Sequence, residues 1–254
     1  AISDYNKDNN HFTVYVESQG SHAMRERLAG SLGVEEKNIK VVTNDVGGGF
    51  GLKMMCFPEY VATMFASRVL QRPVKWTSTR SEAFLSDSHG RDHVTEASIA
   101  MDKEGNFLGV KVDTVAAVGA YLSQYGIFIP TLAGAGMHVG VYKIPVLYNK
   151  VNVVYTNTVP VDAYRGAGRP EASYVIERLV DKAADDLGID PVELRVKNFV
   201  QPDEIGKHEG AILPLDSCDF KKTTEMSMVN SSYDDFLKRK EESKLENKLK
   251  GIGI

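Results

Sequence analysis

The sequence predicts an α+β fold, with mixed sheets and packed helices instead of a regular βαβ repeat. Three observations carry this. Residues 11–17 alternate around Phe12, Val14 and Val16, whereas in 57–70 Val61, Phe65 and Val69 recur every fourth residue. Residues 93–101 and 107–118 flank Asp102-Lys103-Glu104-Gly105-Asn106, a hairpin signature. Strand-like and helix-like segments then follow one another without strict alternation.

Each element has its own local reason. Residues 11–17 read as a strand, and 21–32 as a helix with Met24, Leu28 and Leu32 on one face. Residues 39–43 form a short strand. The helix over 57–70 carries Pro58 near its first turn and is apolar over most of its surface, which predicts deep burial. A strand follows at 73–77, and Thr79-x-x-Glu82 has the spacing of a capping box. Residues 119–140 mix glycine with apolar residues without a period, as either a buried helix or an inner loop layer. The valine-rich stretch 146–155 is a strand. Residues 170–187 form a helix with Val175, Ile176, Leu179, Val180 and Ala183 as its stripe and Gly188 at the C′ position. Asp190-Pro191-Val192-Glu193 opens another. Charge rises after Lys221, and 234–250 reads as an amphipathic surface helix carrying Phe236, Leu237, Leu245 and Leu249.

Composition narrows the function classes. The chain has 254 residues, 43% hydrophobic and 25% charged, enough for a sizeable core. A net charge of −4 implies no basic face, which argues against nucleic acid as a partner. The two cysteines, Cys56 and Cys218, form no disulfide framework, and no C-x-x-C pair offers a cysteine-ligated zinc or iron–sulfur centre. This suits a cytoplasmic setting. No apolar run has membrane-spanning length. The chain starts without methionine and stops at the strand-like Gly251-Ile252-Gly253-Ile254, so a fragment of a longer chain is expected.

The densest signal is Val46-Gly47-Gly48-Gly49-Phe50-Gly51-Leu52-Lys53, with four glycines around one aromatic between a strand and a helix. Glycine permits positive φ and close approach of the backbone to a ligand. Bare N–H groups at such a loop attract anions or polar ligand atoms. Leu52 and Met54 stand where a dinucleotide fingerprint needs a small residue, and Leu52-Lys53-Met54 breaks the phosphate-loop pattern. On the residues alone, a cradle for an oxygen-rich group and a structural turn packed by Phe50 remain equal readings. The second cluster is Ala163-Tyr164-Arg165-Gly166-Ala167-Gly168-Arg169-Pro170-Glu171. Here an arginine sits among small residues before a helix start, where a cation is not favoured. The third is Gln19, at the end of the first alternating strand, whose amide can donate and accept together.

In this order the three elements resemble the molybdenum-binding large subunit of the xanthine dehydrogenase / aldehyde oxidase / carbon monoxide dehydrogenase family. The resemblance runs from about Val14 to Phe199 and includes Asp190-Pro191-Val192-Glu193-Leu194-Arg195-Val196-Lys197-Asn198. It implies that 1–254 is the first molybdenum-cofactor-binding domain of a longer large chain, with 220–254 a peripheral helical segment. The cofactor implied is molybdenum-molybdopterin, in bacterial members the cytosine dinucleotide form. Gln19, Gly48, Gly49, Phe50, Gly51 and Arg165 would be its binding residues, with no direct ligand to the metal. Met54, Gly166 and Ala167 would fall on the substrate pocket. The reaction implied is hydroxylation of a carbon centre with water as oxygen source. The partners implied are an iron–sulfur (2Fe-2S) small subunit, an FAD medium subunit and the rest of the large chain. The family's base glutamate lies late in the large subunit, beyond Ile254. Glu59, Glu82 and Glu171 read as helix-end or surface carboxylates, so the fragment alone should be inactive.

The departures shape the substrate. Copper-containing carbon monoxide dehydrogenases carry a cysteine where this chain has Gly166, and glycine offers copper no soft ligand. Xanthine-oxidising members carry a stacking phenylalanine where Ala167 stands and a glutamate where Met54 stands. Residues 131–136 lack the charge of a second substrate arginine. A purine would lose both stacking and hydrogen-bond partners. The substrate expected is a small aldehyde-like or heterocyclic compound. A copper-free carbon monoxide dehydrogenase and a noncatalytic cofactor-binding or assembly module are the alternatives. His89 and His93 have i, i+4 spacing but no third ligand for zinc. His22, His138 and His208 read as core-edge or surface residues, and Tyr121, Tyr125 and Phe128 as core packing, with the lining of a substrate funnel as the alternative.

Overall fold

The computed structural model describes residues 1–207 and 214–254. His208 lies outside the described residues. The chain divides into two compact units, Ala1–Asp92 with Ala117–Ile129 and Val153–Ala167, and His93–Ala116 with Pro130–Asn152 and Gly168–Ile254. The α+β expectation holds in both.

The first unit opens with β1 (Ile2–Asn6), which the sequence reading missed, and β2 (His11–Tyr15), joined as an antiparallel hairpin. Helix α1 (Ser21–Leu32) returns the chain so that β3 (Ile39–Val42) lies parallel to β2. Helix α2 (Pro58–Leu70) leads to β4 (Val74–Lys75), and the sheet order is β3-β2-β1-β4. Phe12 and Val14 on β2, Met24 and Leu28 on α1, and Met64 on α2 are fully buried together. Each such side chain contributes roughly 2 kcal/mol by leaving water. Helix α1 stops at Gly33, whose φ of +69° is the left-handed cap that glycine adopts without a Cβ penalty. Helix α3 (Arg80–Ser86) begins with the expected capping box: Glu82 N donates to Thr79 Oγ1 at 3.2 Å, and Thr79 N donates to Glu82 Oε2 at 2.6 Å.

Helix α2 corrects one expectation. Its stripe of Phe65 and Val69 faces outward, 55% and 62% exposed, and the buried face is Tyr60, Thr63, Met64 and Ser67. The reason lies in β1: Thr63 Oγ1 and Ser3 Oγ share a buried hydrogen bond of 2.9 Å, and Ser67 Oγ accepts from Tyr5 N at 3.0 Å. Polar groups of β1 that needed partners selected the face, overriding the apolar repeat.

The second unit holds the antiparallel hairpin of β5 (His93–Met101) and β6 (Phe107–Ala117), extended by β7 (Leu147–Val154) in the order β5-β6-β7. Helix α4 (Arg169–Leu187) buries Ala172, Ile176, Val180, Ala183 and Ala184, in agreement with the predicted stripe, and Gly188 caps it at φ +66°. Helix α5 (Pro191–Asn198) starts where Asp190 Oδ1 accepts from Val192 N and Glu193 N. Arg195, 3% exposed, donates to Glu177 Oε2 at 2.9 Å and Asp181 Oδ1 at 2.8 Å, tying α5 to α4. Between 119 and 140 the regular pieces are a π-helical turn at Ile129–Gly134 and a 3-10 turn at Ala135–Met137, so no continuous helix forms and the loop alternative is the nearer one.

His138 is 6% exposed, inside the core instead of at its edge, and burial pushes its pKa below the usual imidazole range. The C-terminal helix is shorter than expected: α6 (Phe220–Ser231) precedes α7 (Phe236–Leu245), and Leu237, Leu245 and Leu249 are exposed. Tyr121 and Phe128 are exposed, so core packing is not their role.

Candidate functional site

The first unit brings the three signal segments together. Residues 43–57 leave β3, descend through the glycines and close with a 3-10 turn at Leu52–Met54 before α2. Phe50 and Gly51 both have positive φ, +53° and +104°. Gln19, just before α1, reaches this loop: its Oε1 accepts from Gly51 N at 2.9 Å, and its backbone N donates to Lys53 O at 3.1 Å. A Cβ at Gly49 would collide with the Gln19 side chain, and one at Gly51 with the Ala163 carbonyl. Here glycine serves close approach between chain segments. A Cβ at Gly48 would fall 2.6 Å from the Phe50 ring.

Arg165 joins from the other side. Its backbone N donates to Phe50 O at 2.9 Å, and its guanidinium lies 5.5 Å from the centre of the Phe50 ring. Phe50 is therefore held by a cation–π contact while remaining half exposed. The segment then turns sharply, with Ala167 N donating to Tyr164 O at 2.8 Å and positive φ at Gly166 (+95°) and Ala167 (+46°). No side chain larger than methyl follows the arginine at these two positions.

Three residues that sequence reasoning passed over hold this arrangement. Asp162, 1% exposed, accepts from Ala163 N at 2.5 Å and from Tyr125 N at 3.1 Å, fixing the segment that enters the Arg165 turn. Arg91 Nη2 donates to Arg165 O at 2.6 Å and lies over the Tyr164 ring. Arg27 Nη1 donates to Met54 O at 2.6 Å, and its Nη2 donates to the Tyr125 hydroxyl. The adjacency of Asp162 to Ala163-Tyr164-Arg165 was a readable signal; nothing local marks Arg27.

The donor set is one-sided. Among the described residues, the N–H groups of Gly48, Gly49 and Phe50 make no hydrogen bond within the chain, and Arg165 has no carboxylate partner. With Oε1 of Gln19 engaged, its Nε2 is left as a donor. A cluster of amide and guanidinium donors suits an anionic, oxygen-rich group, so these residues fit the cofactor that the resemblance implies. Beside Phe50 runs a groove of about 310 Å³ lined by Leu52, Arg80, Phe84, His89 and Tyr164. A second, of about 430 Å³, shares Leu52 and Arg80 and is lined by Tyr60 and Trp76; burial pushes the Tyr60 phenol up to about 12. Met54 lines neither groove. Among the described residues no group of three His, Cys, Asp or Glu side chains could hold a metal ion.

Comparison with known proteins identifies the family. Residues 1–199 match the family model described as "Molybdopterin cofactor-binding domain". The chain is similar to the carbon monoxide dehydrogenase large chain of Hydrogenophaga pseudoflava, 39% identical over 197 residues, covering 76% of this chain and 24% of that one. It is also similar to the 6-hydroxypseudooxynicotine dehydrogenase complex subunit gamma of Paenarthrobacter nicotinovorans, 30% identical over 92% of this chain and 30% of that one. Among solved structures, quinoline 2-oxidoreductase from Pseudomonas putida 86 superposes with a TM-score of 0.88 at 28% identity, over 96% of this chain and 31% of that one. The chain thus spans about a third or less of the length of these relatives. By its match over 1–199 and by the likeness of its fold, the chain belongs to the molybdopterin cofactor-binding domain family.

Proposed function

We propose that residues 1–254 act as the first cofactor-binding domain of a molybdenum hydroxylase large subunit. That subunit would oxidise a small aldehyde-like or heterocyclic substrate with water as oxygen source, and this piece alone would be inactive. The observation that carries this reading is the Gln19 Oε1 to Gly51 N bond at 2.9 Å, which leaves Gln19 Nε2 as a donor beside the glycine loop that Arg165 holds. When bound, a molybdenum–pterin group supplies the two-electron oxidation at carbon. Gln19 and the N–H groups of Gly48, Gly49 and Phe50 would orient that group by donation, Gly51 would fix Gln19, and Arg165 would hold the Phe50 ring and offer positive charge. Gly166, Ala167 and Met54 would leave the substrate side uncharged.

The finer features belong to the same proposal: a cytosine dinucleotide form of the pterin, an iron–sulfur small subunit, an FAD medium subunit and a cytoplasmic location. Nitrogen heterocycles gain support from the names of the Paenarthrobacter and Pseudomonas relatives. Carbon monoxide oxidation is the second reading, supported by the 39% identity to a carbon monoxide dehydrogenase large chain. Gly166 weighs against its copper-dependent form, because no thiolate stands there.

The test uses the full-length large chain matured with its partner subunits. Metal analysis should find molybdenum, and dye reduction should follow aldehydes or nitrogen heterocycles far more than carbon monoxide. A matured complex without molybdenum would refute the reading. Dye reduction driven by carbon monoxide alone would favour the second.

A further inference from the structure

The Leu52–Met54 turn is gripped twice, by Gln19 just before helix α1 and by Arg27 within it. At the start, Gln19 bonds Gly51 N through its side chain and Lys53 O through its backbone. Further along the helix, Arg27 bonds Met54 O at 2.6 Å. Inside the turn, Met54 N donates to Gly51 O at 3.0 Å and Met55 N donates to Leu52 O at 3.1 Å, so the turn moves as one piece. Arg27 is itself held: its Nη2 donates to the Tyr125 hydroxyl, and its guanidinium lies 5.4 Å from the Tyr125 ring centre. Tyr125 N is fixed on buried Asp162, which also holds Ala163, against whose carbonyl Gly51 packs. The contacts close a ring: Arg27, Met54, Gly51, Ala163, Asp162, Tyr125 and back to Arg27.

We propose that Arg27 is a positioning residue that sets the orientation of the Gln19 amide by fixing the Leu52–Met54 turn through the Met54 carbonyl. The Gln19 amide has one anchor from its oxygen, Gly51 N, so the direction of Nε2 follows the placement of that N–H. Only a forked cation reaches a backbone carbonyl and a phenol together while lying against a ring; lysine offers a single point charge. Arg25, on the same helix, pairs with Glu36 at 3.2 Å on the surface and touches nothing in this ring, so it is the natural control. The inference rests on the proposed function where it concerns catalysis, and stands apart from it where it concerns the loop.

The experiment compares wild type, Arg27→Met, Arg27→Lys and Arg25→Met in the full-length complex. The first readout is amide hydrogen exchange over residues 46–55. Arg27→Met should exchange faster there by about tenfold, while Arg25→Met should match wild type. The second readout is made on molybdenum-containing complex. Arg27→Met should keep its metal content, shift the Mo(V) electron paramagnetic resonance signature and lower kcat by about tenfold, with KM little changed. Arg27→Lys should recover part of this. Unchanged exchange and an unchanged signature in Arg27→Met would overturn the proposal, as would equal losses in Arg25→Met and Arg27→Met. A wild-type complex lacking molybdenum would instead sink the functional reading, and the exchange comparison would still decide the role of Arg27.

Discussion

The backbone N–H of Arg165 donates to the carbonyl of Phe50 at 2.9 Å, and the same arginine lays its guanidinium 5.5 Å from the Phe50 ring centre. Two segments far apart in the chain are thereby locked, each by its backbone and its side chain. A ring held at φ +53° in a glycine loop stays in place because its partner is attached to another rigid turn.

The closeness of these segments makes Gly51 intolerant. Its φ is +104°, and a Cβ there would strike the Ala163 carbonyl, which is backbone and does not yield. Gly51→Ala should cost about 2 kcal/mol or more from strain alone, and the collision adds to it. Gly33→Ala, at φ +69° with open space around it, should cost about 1 kcal/mol. Urea unfolding midpoints of the two variants separate these values.

Ala167 carries a strain of its own at φ +46°. Ala167→Gly should relieve it and stabilise by about 0.5–1 kcal/mol, reduced by the added freedom of glycine in the unfolded chain. A rise in Tm of a few degrees, or no change, is the expected result; a fall would show that the methyl group packs on something essential.

Arg195 is the buried centre of a charge network whose carboxylates, Glu177 and Asp181, are about a third exposed. Removing the guanidinium leaves those carboxylates facing each other, and water screens part of the cost. Arg195→Met should destabilise by roughly 3 kcal/mol, the lower end for a broken buried pair. Denaturant titration at pH 7 measures it, and Arg178→Met, at an exposed partner of Asp181, should stay within about 0.5 kcal/mol.

His138 gives a pH dependence with a definite sign. Burial first, and His93 nearby after it, lower its pKa below 6.5, while Asn149 opposes them. The unfolded chain therefore binds more protons in this range, so stability is fully present above pH 6.5 and is lost as pH falls through the folded pKa. Unfolding midpoints should drop between pH 7 and pH 5 in the wild type, and less steeply in His138→Gln. Parallel curves for the two would refute this assignment.

The order of three chemical signals, Gln19, the Phe50 loop and Arg165, was legible in the amino acids, because glycine clusters and an arginine among small residues are local compositions. The α4 stripe, the Thr79–Glu82 cap and the β5–β6 hairpin were legible for the same reason: each depends on neighbours within a few positions. Folding in three dimensions decided the rest. It turned the polar face of α2 inward because β1 offered Ser3 and the Tyr5 N–H as partners, and it left Phe65 and Val69 outside. It bound the Gln19 amide oxygen to Gly51 and recruited Asp162, which only its adjacency to the Arg165 segment marks, together with Arg27 and Arg91, whose own neighbourhoods announce nothing. Local periodicity measures what a segment offers, whereas a hydrogen bond between distant segments depends on where every intervening turn brings the chain.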